Sequence, residues 1–322
     1  EASHRQPAWT GSQVSHAVLT SDGSLLGGVE GPWQVVPEPV ENVFLLLSRG
    51  TMTGKHRLSA SLETACRLHP TATVYVVIPR SASASVAPEF VSAVRQAMLC
   101  SFVVLPRFDM RTYLLHSPLR EFIATRWREV ASSRHAAHVA DIFRMVALFK
   151  HGGVWMDTDA LVTRPVVDVG NTFGLEPEGG TTTFVGTAVL AFRKHHPFWS
   201  DCLQRVTPKH YDADKYLCNM ESTTQCVIHH PKRFLNCNDH RRCISTAPSE
   251  VFYPFWVDEG VRMFGKRDPE LHIGLDTSIA MHLWNSQTKR VQHSPSSLVG
   301  MIYHRHCITC VAMSGNDQTG DT

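Results

Sequence analysis

"HGGVWMDTDALV", residues 151–162, sets two glycines, an apolar triplet and two aspartates separated by one residue within twelve positions. Immediately upstream, "HAAHVADIFRMVALFKHGG" repeats Val139, Ile142, Phe143, Val146 and Ala147 at helical spacing, and Gly152 and Gly153 supply the stop. Val154, Trp155 and Met156 then read as a short buried strand that delivers Asp157, Thr158 and Asp159 to its carboxyl end, before "ALV" resumes the apolar character. Open α/β sheets bind their ligands at the carboxyl ends of strands, so a charged site is expected where these acids lie.

The same alternation extends outward. "NVFLLLS", "ATVYVVIP" and "SFVVLP" read as strands, and "LSASLETACRLH" and "PEFVSAVRQAML" as the helices between them. The fold class is therefore α/β, a mostly parallel sheet flanked by helices. "TTTFVGTAVLAF" adds a further strand, and residues 207–250, which mix Cys, His, Asn, Lys and Arg without a period, read as loops over the active face. Residues 1–40, rich in Gly, Ser, Pro and His, read as a stem or poorly ordered lead-in. Residues 41–310 are expected to form one catalytic domain, and residues 311–322 a flexible tail.

Bulk properties remove some classes. Lys plus Arg, 31, nearly cancels Asp plus Glu, 29, so no basic field exists to hold a nucleic acid. Apolar runs such as "VFLLL", residues 43–47, fall far short of the roughly 18 residues of a membrane helix. The sequence starts at Glu1, from which an N-terminal segment carrying any signal or anchor is expected to have been removed. Nine cysteines, with Cys218, Cys226, Cys237 and Cys243 crowded together, point to an oxidising compartment with one thiol left over.

Asp157 and Asp159 place two hard oxygen donors on one turn, suited to Mn²⁺ or Mg²⁺. Two carboxylates do not fill an octahedral shell, so water, another side chain and the oxygens of a diphosphate are the natural remaining ligands. Asp141 and Arg144, three apart on the less apolar side of the preceding helix, are candidates to face that ligand. "MHLWN" adds His282 as a further metal ligand, with Trp284 and Asn285 beside it. Each has a plainer reading in isolation: an Asx-turn for the aspartates, a surface ion pair for Asp141 and Arg144, a satisfied core histidine for His282.

Together, "DIFRMVALFKHGGVWMDTDALVTRP", "VFYPF" and "MHLWN", in this order, resemble the lactosylceramide α1,4-galactosyltransferase and α1,4-N-acetylglucosaminyltransferase family, over roughly Glu41 to Cys307. "ASLETACRLHP" resembles the family's first helix. The resemblance implies a glycosyltransferase A-type fold, a retaining transfer of galactose or N-acetylglucosamine from a UDP-sugar, and a glycolipid or glycoprotein glycan as acceptor. It also implies a Golgi-lumenal type II enzyme that meets the membrane only through an N-terminal anchor absent from this chain. By the match, Asp157 and Asp159 hold Mn²⁺ and the diphosphate, with His282 as third ligand. Asp141, Arg144, Gly153, Trp155 and Asn285 join them around the nucleotide-sugar.

Two departures stand out. Gly186, Thr187 and Ala188 occupy the place where family members carry an Asn-containing pair before "AxLAF", and "LCNMESTTQCVIHH" replaces a Gly-Pro-containing segment on the acceptor side. An inactive glycosyltransferase-like lumenal protein that binds a glycan or nucleotide is the competing reading. Cys226, His229, Cys237 and His240 can be written as a zinc site, but with a short middle spacing. The resemblance favours a disulfide at Cys243, closed with a cysteine upstream, and a disulfide or free thiol at Cys307 in "YHRHCITC".

Overall fold

The computed structural model describes residues 42–46, 55–80, 100–131, 136–166, 171–177, 183–206, 242–256, 259–266, 278–288 and 291–307, together with 18–19, 25–26, 234 and 271. Of the expected lead-in, only a two-residue antiparallel ladder, Val18–Leu19 with Leu25–Leu26, falls among them. The helix expected from "PEFVSAVRQAML", the tail beyond residue 310 and the possible zinc ligands lie outside the described residues.

In chain order the principal elements begin with β1 (Asn42–Leu46), α1 (Lys55–Leu68), β2 (Thr73–Pro79) and β3 (Ser101–Phe108). Three helices follow, α2 (Met110–Leu115), α3 (Arg120–Val130) and α4 (Ala136–His151), then β4 (Gly153–Met156), β5 (Ala160–Val162), β6 (Thr172–Pro177) and β7 (Thr183–Phe192). The chain continues through α5 (Pro197–Arg205), β8 (Ser245–Ala247), α6 (Ser249–Phe252), β9 (Ala280–His282), α7 (Asn285–Thr288) and α8 (Leu298–His306). The main sheet has seven strands in the order β8-β6-β7-β4-β1-β2-β3. β1 is parallel to β2 and β4, β2 to β3 and β6 to β8, whereas β7 runs antiparallel to both β4 and β6. The sheet is thus mixed and mostly parallel, as expected.

Alternation along each strand feeds two apolar layers. Val74, Val76 and Ile78 of β2, with Val154 and Met156 of β4, join Leu58, Leu62 and Ala65 of α1 and Leu298, Val299 and Ile302 of α8. Val77 and Trp155 point the other way, into the layer built from Phe122 and Ile123 of α3, Ile142, Phe143 and Val146 of α4, and Phe198 and Leu203 of α5. Helices therefore cover both faces, which is why β4 carries no exposed apolar alternation.

The 207–250 region is corrected at its end. Ser245–Ala247 is an edge strand parallel to β6, and α6 follows it. A three-residue strand carries too little period to show through a Cys- and His-rich sequence. Gly152, at φ +66°, turns α4 into β4, and a Cβ there would lie 2.4 Å from the Lys194 nitrogen, so the glycine stop is obligatory. Cys66 at the end of α1 is bonded to Cys100; Cys243 and Cys307 each take part in a disulfide, and Cys202 is buried. The expected disulfide at Cys243 is present.

Candidate active site

β4 ends at Met156, and the chain turns at once. The Asp157 N–H donates to the Ala188 carbonyl of β7 at 2.8 Å, and the Ala160 N–H donates to the Asp157 carbonyl at 3.0 Å, so Asp157, Thr158 and Asp159 form the tight connection into β5. β5 pairs antiparallel with β9, with Ala160 opposite His282. That short ladder brings together groups over 120 residues apart. Donor atoms of Asp157, Asp159 and His282 lie within 4.8 Å of one another.

The two carboxylates are held differently. Asp157 Oδ1 accepts from the Trp155 indole N–H at 2.8 Å and from Arg144 Nη2 at 3.1 Å. The same Arg144 nitrogen lies 3.2 Å from Asp141 Oδ1, and Nη1 donates to the Thr187 carbonyl at 2.6 Å, while the guanidinium sits 5.1 Å from the Trp155 ring centroid. Asp159 Oδ2 instead meets His282 Nε2 at 3.3 Å and accepts the Asn285 backbone N–H at 2.8 Å.

Burial pushes the Asp157 carboxyl up despite Arg144, with the neighbouring Asp159 charge adding to the rise. Burial likewise pushes Asp141 up to about 7, against the pull of Arg144. Burial opposes ionisation of Asp159 as well, yet the charge and hydrogen bond of His282 and the Asn285 N–H hold it below the usual carboxylate range. His282 is correspondingly raised, Asp159 outweighing the cost of burying an imidazolium. Asp141, Asp157 and Asp159 thus crowd around one guanidinium and one imidazole, an excess of negative charge that a divalent cation would offset. His282 Nδ1 and Arg144 Nε, both buried, have no hydrogen-bond partner among the described residues. The donor set, two carboxylates and an imidazole, fits Mn²⁺ or Mg²⁺ with positions left for phosphate oxygens.

α1 underlies this turn. It is buried on all sides from Arg57 to Cys66, and its polar residues reach the metal loop. The Ser61 hydroxyl lies 3.0 Å from the Thr158 carbonyl and 2.6 Å from that of Ala160, and the Thr64 hydroxyl accepts the Val162 N–H at 3.3 Å. His69 Nε2 accepts the Val166 N–H at 2.9 Å.

Of the residues expected at the site, Asp141, Arg144, Asp157, Asp159, His282 and Asn285 converge. Asp141 and Arg144 are 7% and 5% exposed and form a buried pair under Asp157, not the surface ion pair of the plainer reading. Asn285 contributes its backbone N–H, its side-chain oxygen being taken by Arg57. Trp155 is buried and acts on Asp157 through its N–H. Gly153 is not brought to the group. It begins β4, opposite Phe192, roughly 13 Å along the strand from Asp157.

Sequence reasoning missed Arg57, Glu176 and Tyr253. Glu176 is 3% exposed, and its charge reaches Arg144, Tyr253 and His282. Tyr253 packs against Gly186: a Cβ on Gly186 would lie 2.2 Å from its ring, and its hydroxyl accepts the Ala188 N–H at 3.0 Å. Gly174 and Gly186, both inside strands, were the available signal, since strand glycines mark close approach of another group.

Residues 55–177 match the family profile described as glycosyltransferase sugar-binding region containing DXD motif, and residues 191–314 match the alpha 1,4-glycosyltransferase conserved region. The chain is thus similar to α1,4-glycosyltransferases in both regions. Human lactosylceramide 4-alpha-galactosyltransferase is 24% identical over 281 residues, 83% of this chain and 76% of that protein. Human alpha-1,4-N-acetylglucosaminyltransferase is 25% identical over 285 residues, 82% and 78% respectively. An uncharacterized protein of Arabidopsis thaliana is 28% identical over 221 residues, 65% of this chain, and there the match spans only 33% of the relative's length. Asp157 and Asp159 are the Asp-x-Asp inside the first matched region, and His282 falls in the second. Among the described residues no helix is long and apolar enough to cross a membrane.

Proposed function

We propose that this chain is a retaining hexosyltransferase that moves galactose or N-acetylglucosamine from a UDP-sugar to a terminal sugar of a glycolipid or glycoprotein glycan, forming an α1,4 linkage in the Golgi lumen. The observation that carries the reading is the meeting of Asp157, Asp159 and His282 above a buried Asp141–Arg144 pair. These three side chains would hold Mn²⁺, whose chemistry is to stabilise the charge that develops on the leaving diphosphate. Arg144 favours the ionised form of Asp157 against burial and orients it, and with Asp141 it would lie beside the donor sugar and phosphates. His282 and the Asn285 N–H fix the Asp159 carboxylate toward the same point. No carboxylate pair of the hydrolase type is required, because the leaving phosphate can take the acceptor proton. Residues 41–310 would constitute the catalytic domain.

The test is Mn²⁺-dependent hydrolysis of UDP-galactose, UDP-N-acetylglucosamine and UDP-glucose, followed by transfer to lactosyl acceptors. At least one donor should turn over, and Asp159→Ala or Asp157→Ala should lower kcat by about 10²-fold or more, since the charge they manage appears in the transition state. No turnover, together with no metal-dependent UDP binding, overturns the reading.

A further inference from the structure

Arg57, in the first turn of α1, is 6% exposed and is bonded to a segment 228 or more residues away. Its guanidinium donates to Asn285 Oδ1, to the Thr288 hydroxyl at 2.7 Å, to the Thr288 carbonyl, and to the Val291 carbonyl at 3.4 Å. Its flat face lies 4.4 Å from the centroid of the Phe264 ring. The segment it grips is the one that reaches Asp159. The Leu283 N–H donates to the Asp159 carbonyl at 2.8 Å, and the Asn285 N–H to the Asp159 side chain at 2.8 Å.

Between these two donors Trp284 stands at φ +52°, in the left-handed region that a bulky aromatic residue rarely adopts. This turn aims both amides at one aspartate. A conformation of that kind persists only where the surroundings over-determine it. On one side the Trp284 indole N–H is tied to the Phe255 carbonyl at 3.0 Å. On the other, Arg57 holds the two residues that bracket α7.

We infer that Arg57 is a positioning residue for Asp159: its forked hydrogen bonds to Asn285 and Thr288 hold the strained turn at Trp284 closed on the carboxylate, and so set the orientation of a metal ligand. The inference rests on the reading of Asp157, Asp159 and His282 as a metal centre. A lysine keeps the charge but not the planar fork, so it does not grip Asn285 and Thr288 together. When the grip fails, the turn relaxes, the Asn285 N–H leaves Asp159, and cation affinity falls although α1 stays packed.

The experiment measures Mn²⁺ binding in the presence of UDP, by loss of the free-ion EPR signal, alongside thermal unfolding, for the wild type, Arg57→Lys, Asn285→Ala and the double variant. Arg57→Lys should bind Mn²⁺ about tenfold more weakly, as expected for loss of a group that orients a metal ligand. Asn285→Ala keeps its N–H but loses the acceptor, so it should weaken binding in the same direction, and the double variant should be little worse than Arg57→Lys. If Arg57→Lys does not fold, Asn285→Ala and Thr288→Val, which leave Arg57 in place, carry the same expectation. Unchanged Mn²⁺ affinity in Arg57→Lys, or effects that simply add in the double variant, overturns the clamp alone. A wild type that takes up no Mn²⁺ overturns the metal-centre reading and the clamp with it.

Discussion

The two aspartates of the metal loop sit two residues apart and answer to different parts of the molecule. Asp157 is held from within its own helix–strand unit, by Trp155 two residues back and Arg144 thirteen back, on the α4 side of the sheet. Asp159 is held by the β9–α7 segment, more than 120 residues on, which α1 locks down through Arg57. The first surroundings press a carboxylate toward protonation by burial; the second keep one ionised with an imidazole and a backbone amide. One site thus joins a ligand supplied ready by local sequence to one that exists only once the whole chain has closed.

The heaviest blow to the Asp157 half is Arg144→Met. It leaves Asp141 and Asp157 buried without their counter-charge, and breaking a buried ion cluster in this way costs about 3–5 kcal/mol. Urea unfolding without added metal should show that loss, and Asp141→Asn in the same background should recover part of it by removing one orphaned charge. A loss under about 1 kcal/mol would mean that the ion pairs do not hold this half together. The Asp159 half has no guanidinium at its carboxylate; the His282 imidazole and the Asn285 N–H share the task.

Gly186→Ala attacks the joint between the halves. Its Cβ would lie 2.2 Å from the Tyr253 ring, which stands edge-on to His282 and whose hydroxyl holds the Ala188 N–H; the Ala188 carbonyl in turn holds the Asp157 N–H. Overpacking of this kind costs about 1–3 kcal/mol. Tyr253 must move to relieve it, so a shift in the near-UV circular dichroism should accompany the fall in urea midpoint. An unchanged spectrum at wild-type stability would show that Tyr253 is not seated against this glycine.

That asymmetry also explains what could be read from the sequence. Helical spacing in α4, the glycine stop and the apolar triplet of β4 are short-range patterns, and each predicted element is present. The Asp141–Arg144 pair was visible at its i, i+3 spacing, but its burial was not: that depends on α4 lying flat against β4 and β7. Arg57 was not legible, because one cation in the first turn of a helix gives no sign of acceptors 228 positions away. His282 could be offered as a metal ligand from "MHLWN" alone, but only the family resemblance tied it and Asn285 to the aspartates, since the β5–β9 ladder that delivers them is three residues long on each side. The two strand glycines were the one local clue to Tyr253, and they marked a close approach without saying by what.

The change that alters side-chain shape least separates the halves most cleanly. Trp155→Phe keeps an aromatic ring in the α4 layer and removes the indole N–H from Asp157 Oδ1, a hydrogen bond to a charged group worth about 1.5–3 kcal/mol. That N–H favours the ionised form, so its loss raises further a carboxyl that burial has already raised. A carboxyl whose folded pKa lies above its unfolded value binds more protons in the native state, so stability without metal falls as pH rises through that range; Asp141, pushed up to about 7 by burial, adds to the same trend. Cation binding requires the ionised carboxylates, so Mn²⁺ should stabilise the wild type more at pH 8 than at pH 5.5. In Trp155→Phe the rise in Mn²⁺ affinity with pH should move to higher pH, whereas Asn285→Ala, acting on an aspartate that is already held ionised, should weaken binding with little change in its pH dependence. Isothermal titration of Mn²⁺ with UDP across that pH range distinguishes them: parallel curves for the two variants would show that the aspartates titrate as one unit rather than as two differently supported ligands.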